Sequence, residues 1–217
     1  MNPRRPYVDR SAAGQVLADV LVGALAAPAR DHRQPLVLAL PRGGVPVAVP
    51  VARALAAELS VLLVRKLGSP GQQELAVGAI AMIDDRVVQV LNDQWVQRLG
   101  LSAERISIMV DTEAAELRAR ARLFGQTPSV AGRTVIVVDD GLATGATMRA
   151  AVVAVRGAGA ASVLVAAPVG AAGACRALAE VADLVVCPRQ PDPFRSVGEH
   201  YRDFAQLDDD DVLALLR

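Results

Sequence analysis

Val135-Ile136-Val137-Val138-Asp139-Asp140-Gly141-Leu142-Ala143-Thr144-Gly145-Ala146-Thr147 carries more information than any other part of this 217-residue chain. Four β-branched residues in a row read as a strand buried on both faces, the pattern of an inner strand of a parallel sheet. Two carboxylates stand at its carboxyl end, and a Gly/Ala/Thr turn then opens an apolar helix that runs through Met148 and Val152. Such a turn suits an anion. Small residues let backbone N–H groups close around phosphate oxygens at a helix N-terminus, and Thr144 and Thr147 add hydroxyl donors. Asp139 and Asp140 can accept hydrogen bonds from the vicinal hydroxyls of a ribose. The plainer alternative is that Asp140 and Thr144 cap a helix after a turn at Gly141, but a cap needs one acceptor rather than two adjacent carboxylates. No Gly-Lys-Ser/Thr follows the glycines, which excludes a P-loop, and no G-x-G-x-x-G occurs here, which excludes a dinucleotide fingerprint.

Outward from this stretch, strands and helices alternate. A helix is expected from Ala12 to Leu25 behind the start signal Asp9-Arg10-Ser11. Leu36 to Leu40 reads as a strand and Val45 to Leu59 as a helix, with Val61 to Val64 the next strand. Ala76 to Ile83 and Val87 to Leu91 flank Asp84-Asp85 as a hairpin. Ser102 caps a long helix to about Arg122, in which Glu104, Asp111, Glu113 and Glu116 precede Arg118, Arg120 and Arg122, the order a helix dipole favours. Then come a strand from Ser162 to Ala167, a helix near Gly173 to Glu180, a strand from Leu184 to Val186, and a short helix after Asp208 to Asp211. The pattern predicts an α/β fold, doubly wound about a mainly parallel sheet and forming a single domain over residues 1–217. Ligands in such sheets collect at the carboxyl ends of the strands.

Composition narrows the function classes. Twenty-three basic and 23 acidic residues balance to zero formal charge, so nothing suggests a nucleic-acid surface. Ala150 to Ala174 is apolar enough to imitate a membrane span, but Arg156, Gly157-Ala158-Gly159 and Pro168 divide it into helix, turn and buried strand. Cys175 and Cys187 are isolated thiols without metal-ligand spacing, and Met1 to Pro6 lacks the apolar core of a secretory leader. The expectation is a soluble, cytoplasmic protein with reduced cysteines and no membrane partner.

The double acid followed by Thr144-Gly145-Ala146-Thr147 resembles the phosphoribosyl diphosphate (PRPP) signature of the type I phosphoribosyltransferases. The resemblance implies that Asp139 and Asp140 hold the ribose and that Ala143, Thr144, Gly145, Ala146 and Thr147 hold the 5′-phosphate. A second loop, Pro41-Arg42-Gly43-Gly44, also joins a strand to a helix. Its glycines admit close approach to the main chain, and Arg42 offers a fork of donors suited to phosphate. In this family the matching loop binds pyrophosphate, often through a non-proline cis peptide, so unusual backbone is expected between Pro41 and Gly44. Read alone, the loop is a tight turn before a helix.

Lys66 is the chain's only lysine, beside 22 arginines, which suggests a compact ammonium that arginine cannot replace. Read plainly, it is a solvated cation at a strand end. Its surroundings, about residues 66–75, resemble the family's mobile loop, so Lys66 and Arg65 are assigned with Arg42, Gly43 and Gly44 to the pyrophosphate. The tail from Pro193 to Phe204 holds three of the six aromatic residues and resembles the hood of purine-type members. Phe194 and Tyr201 are the candidates for stacking on the base; packing of the rings on the sheet edge is the alternative. The hood is expected from residues 1–30 and 188–217. His32 and His200 read as surface residues.

The family likeness implies Mg²⁺-assisted transfer of a phosphoribosyl group from PRPP to a small nitrogenous base. Asp139, Asp140, Arg42 and Lys66 form the catalytic set, and the metal is held largely by substrate and water rather than by a protein cage. One residue departs from the pattern: 6-oxopurine members commonly carry Asp where this chain has Ala143. Either another group, such as Glu74, handles the proton, or the acceptor is not a 6-oxopurine. A non-catalytic regulator that binds PRPP or a nucleotide is the alternative function. A PRPP synthetase fits less well, with one such domain and no evident ATP site. The helix from Ser102 to Arg122, with its Arg-rich end, is the candidate contact of a homo-oligomer.

Overall fold

A computed structural model describes residues 5–26, 35–69 and 72–217, with side chains described for all of these but 69 and 72–76. His32 and the Glu74 side chain therefore lie outside the described residues. Five strands form a parallel sheet in the order β2-β1-β6-β7-β8: β1 (Leu36–Ala39), β2 (Glu58–Val61), β6 (Thr134–Val138), β7 (Ser162–Ala166) and β8 (Leu184–Val186). Three more, β3 (Leu63–Ser69), β4 (Gln72–Ile83) and β5 (Arg86–Leu91), make an antiparallel sheet.

The period of two along the central strands sorts the core into two layers. Val37, Ala39, Ile136, Val138, Leu164 and Ala166 face one side, against α1 (Arg10–Leu25), α2 (Gly44–Ala54) and α7 (Asp209–Leu215). Leu36, Leu38, Val135, Val137, Val163 and Val165 face the other, against α5 (Ala146–Gly157) and α6 (Ala172–Ala179). Helices on both faces explain why these strands read as unbroken apolar runs. Gly14 of α1 lies so close to α2 that a Cβ there would stand 2.6 Å from Pro50 Cγ. The long helix α4 (Ala103–Phe124), capped by the Ser102 side chain, buries Ile106, Ala114, Leu117 and Phe124. Among the described residues no helix is long and apolar enough to cross a membrane.

The α/β, doubly wound expectation holds, and three local readings are corrected. The run from Val61 to Val64 is not one strand: Val61 ends β2 in the parallel sheet and Leu63 begins β3 in the antiparallel one. An apolar run has no internal mark of such a break. The helix expected to Leu59 stops at Ala54, and Ala56, at φ 47°, turns the chain into β2. Of the stretch read as a mobile loop near residues 66–75, residues 66–69 lie in β3 and 72–75 in β4. Lys66 lies within β3 opposite Ala79, because Leu63 and Leu67 alternate into the core and draw the strand out past it. The six-residue α3 (Asp93–Arg98), capped by Asn92, has no counterpart in the sequence reading.

Candidate active site

The chain leaves β1 for β2 at one edge and returns through β6 on the other side of β1, so the topological switch lies between β1 and β6. Loops diverge at such a point and leave a crevice at the strand ends. Leu40 N donates to Val138 O at 2.9 Å and holds the two loops side by side. Gly43 and Gly44 then make the approach. A Cβ on Gly43 would collide with the Asp140 carboxylate, and one on Gly44 would stand 2.6 Å from Val138 O and 3.1 Å from Asp139 Cα. Gly43 has ordinary helical angles (φ −61°, ψ −33°), so its value here is lack of bulk rather than unusual torsion. The Pro41–Arg42 peptide is cis, the unusual backbone expected of this loop.

Across the crevice, Asp139 Oδ1 accepts a hydrogen bond from Asp140 N at 2.8 Å. Asp140 Oδ2 pairs with Arg10 Nε at 2.9 Å, and its backbone carbonyl accepts from the Tyr201 hydroxyl at 2.6 Å. Burial, then the neighbouring Asp140 charge, pushes the Asp139 carboxyl well above the usual carboxylate range. Burial also raises Asp140, while Arg10 pulls it back. The pair is thus poorly compensated and suited to a ligand that brings donors or a cation. Burial followed by the Asp140 charge raises the Tyr201 hydroxyl, so it stays a neutral donor.

Residues 143–145 form the expected turn, and Ala146 and Thr147 open α5. Gly145, at φ 73°, occupies the left-handed region that glycine tolerates and leads into α5. Ala143, Thr144 and Thr147 are exposed, and Thr144 Oγ1 accepts from Ala146 N at 3.3 Å. The first N–H groups of α5 lack intrahelical acceptors by construction and point out of this turn.

A cavity of about 550 Å³ opens where the two loops meet, walled by Arg10, Arg42, Gly43, Arg120, Asp140 and Phe204, among others. Arg42 reaches out of its loop: Nη1 donates to Leu207 O at 2.9 Å and Nε pairs with Asp209 Oδ1 at 2.8 Å. Arg65 points elsewhere, paired with Glu113 Oε2 at 2.9 Å and with Glu116 of α4. Lys66 is half-buried within β3 and does not line this cavity. The aromatic candidates divide. Phe194 is half-buried and stacks on His200 at 5.4 Å between ring centroids, so His200 is not the free surface residue it was read as. Tyr201 is 6 % exposed and packs against Tyr7 and Phe204, so it braces the Asp140 backbone instead of offering an open ring face.

Arg10, Arg120, Phe204, Gln206 and Leu207 are the cavity's residues that sequence reading missed, and Asp209, which pairs with Arg42, was read only as part of an acidic helix start. Arg10 sits inside a helix-start signal and Arg120 in an alternating arginine run, so each already had a local explanation. Arg10 lies 3.8 Å from the Phe204 ring centroid and donates to Ala205 O at 2.9 Å, tying the tail to the Asp140 carboxylate.

Residues 15–202 match the family described as "Phosphoribosyl transferase domain". The chain belongs to that family. Two Mycobacterium tuberculosis proteins, "Putative phosphoribosyl transferase MT0597" of strain CDC 1551 / Oshkosh and "Putative phosphoribosyl transferase Rv0571c" of strain ATCC 25618 / H37Rv, are each 44% identical over 213 residues, 97% of this chain and 46% of theirs. The chain thus spans about half the length of these curated relatives. The crystal structure of TT1426 from Thermus thermophilus is similar over 97% of both chains, at 38% identity and a TM-score of 0.79.

Proposed function

We propose that this chain transfers the phosphoribosyl group of PRPP to a nitrogenous base and releases pyrophosphate. The reading is carried by the crevice between β1 and β6, where a two-glycine loop is pressed against a pair of adjacent carboxylates. Asp139 and Asp140 accept from the ribose hydroxyls, and the turn from Ala143 to Thr147 surrounds the 5′-phosphate with backbone N–H groups and two hydroxyls. Arg42 with the backbone of Gly43 and Gly44 takes the pyrophosphate. The base nitrogen attacks the anomeric carbon as the bond to pyrophosphate breaks. Carboxylates beneath an oxocarbenium-like ribose and a cation on the leaving group provide the electrostatics that step needs.

Mg²⁺ fits the donors present. Asp139 and Asp140 are hard oxygen donors whose mutual repulsion a cation relieves. Bound with PRPP, Mg²⁺ would neutralise the pyrophosphate as it leaves. Lys66 and Arg65 enter this scheme only if the β3–β4 hairpin brings them over the cavity, since Arg65 is engaged by α4. Phe194 remains the candidate base contact. Exposed Ile108 and Leu123 on α4 make that helix the candidate contact between copies.

Incubation with PRPP, Mg²⁺ and single bases (adenine, guanine, hypoxanthine, xanthine, uracil, orotate), with pyrophosphate release as readout, tests the proposal. Release with one base names the acceptor. PRPP binding without release for any base would favour the second reading, a non-catalytic PRPP or nucleotide sensor, for which exposed Ala143 speaks because it supplies no acid or base.

A further inference from the structure

Arginines 10, 42 and 120 all face the 550 Å³ cavity, and among the described residues Asp140 is the one carboxylate in its wall. Arg10 is committed to Asp140. That leaves Arg42 and Arg120, and both converge on a single oxygen, Asp209 Oδ1, at 2.8 and 3.9 Å. Two guanidinium groups on one carboxylate oxygen are poorly matched, because each fork can hold two oxygens of its own. An anion with several separated oxygens uses the same two forks fully.

The segment bearing Asp209 is held mainly from below. Ala205 O accepts from Arg10 and Leu207 O from Arg42, so its two carbonyl anchors are arginines of the cavity itself. The seven-residue α7 is pinned to the core by Val212, with Leu213 and Leu216 partly buried beside it. Arg42, Arg120 and Asp209 side chains are 36 to 39 % exposed, so these ion pairs are screened and weak.

We propose that Arg42 and Arg120 form a two-arginine clamp for the pyrophosphate half of the substrate, with Asp209 as the resident internal anion that the incoming pyrophosphate displaces. Arg120, on α4, is thereby a ligand-binding residue, and residues 205–209 are a latch released by substrate. The idea rests on the PRPP reading of the crevice, but the probe, inorganic pyrophosphate with Mg²⁺, needs no acceptor base.

Calorimetric titration of the full chain and of Asp209→Asn and Arg120→Gln tests it, together with amide exchange of residues 209–215 in the wild type. Asp209→Asn is expected to bind pyrophosphate about three- to fivefold more tightly, the span of a partly exposed ion pair. Arg120→Gln is expected to bind it about tenfold more weakly. Pyrophosphate should speed exchange in α7. Equal or weaker binding by Asp209→Asn, or unchanged exchange in α7, overturns the latch, and unchanged binding by Arg120→Gln overturns the clamp, while the PRPP reading stands. Absence of pyrophosphate binding in every form, wild type included, overturns both together.

Discussion

At the floor of the crevice, Gly43 and Gly44 bring two loops together at distances that admit no side chain. Above it, residues 205–209 are attached through the flexible side chains of Arg10 and Arg42. The floor rests on strands in which Leu36 to Ala39 and Val135 to Val138 are wholly buried; the cover ends in a seven-residue helix with one fully buried anchor. Close packing resists displacement because every atom has neighbours that would also have to move. Half-exposed ion pairs yield to a better anion. A fixed floor under a displaceable cover is what a site needs if it must hold a ribose rigidly and still admit it.

The strongest challenge to this contrast is Gly44→Val. Its new side chain would press on the backbone of Val138 and Asp139, which cannot turn aside. A cost of about 2–3 kcal/mol is expected, since overpacking against backbone has no cheap relief. For a chain of this length that lowers the thermal midpoint by about 4–12 °C in calorimetry. An unchanged midpoint would mean that the floor is loose.

Arg10→Ala comes next, because Arg10 joins floor to cover. Its side chain is 12 % exposed and that of Asp140 is 15 % exposed, so removal strands a partly buried carboxylate. A loss of about 2 kcal/mol is expected in denaturant unfolding, less than for a fully buried pair. Amide exchange near Ala205 should rise as well. Stability equal to wild type would show that the tail needs no tie to Asp140.

Asp139→Asn should act in the opposite direction. Asparagine keeps the acceptor for Asp140 N and removes one of two adjacent charges. The folded Asp139 carboxyl binds its proton more tightly than the unfolded one does, so wild-type stability falls as pH rises from 3.8 through the raised folded value. The variant lacks that fall. It is expected to gain about 1 kcal/mol at neutral pH and to lose the advantage below about pH 4. Unfolding curves across that range would show it; a uniform gain at all pH values would point to packing instead of charge.

These contrasts also mark what could be read from residue order. The β6 strand, its two acids and the Thr/Gly turn are contiguous, so their meaning is local and legible. So is the Asp84-Asp85 turn, whose residues adopt φ 52° and 59° between β4 and β5. The cover was legible only as an aromatic tail. Arg10 and Asp140 are 130 positions apart, and nothing near either announces the other. Tyr201 looked like a stacking residue because an aromatic ring is ambiguous until its hydroxyl finds a partner. Lys66 was placed beyond a strand end because Gly68, Pro70 and Gly71 suggest a loop; pairing with β4 carries the strand through Ser69 regardless.

Calorimetric titration of PRPP with Mg²⁺ into the wild type and an Asp139→Asn/Asp140→Asn double variant tests the crevice most directly. The expected result is saturable binding at one site per chain, weakened about a hundredfold or more in the variant by loss of two charge-assisted hydrogen bonds. Equal affinity in both proteins, or no binding to the wild type, would contradict the assignment of the β1–β6 crevice as the PRPP site.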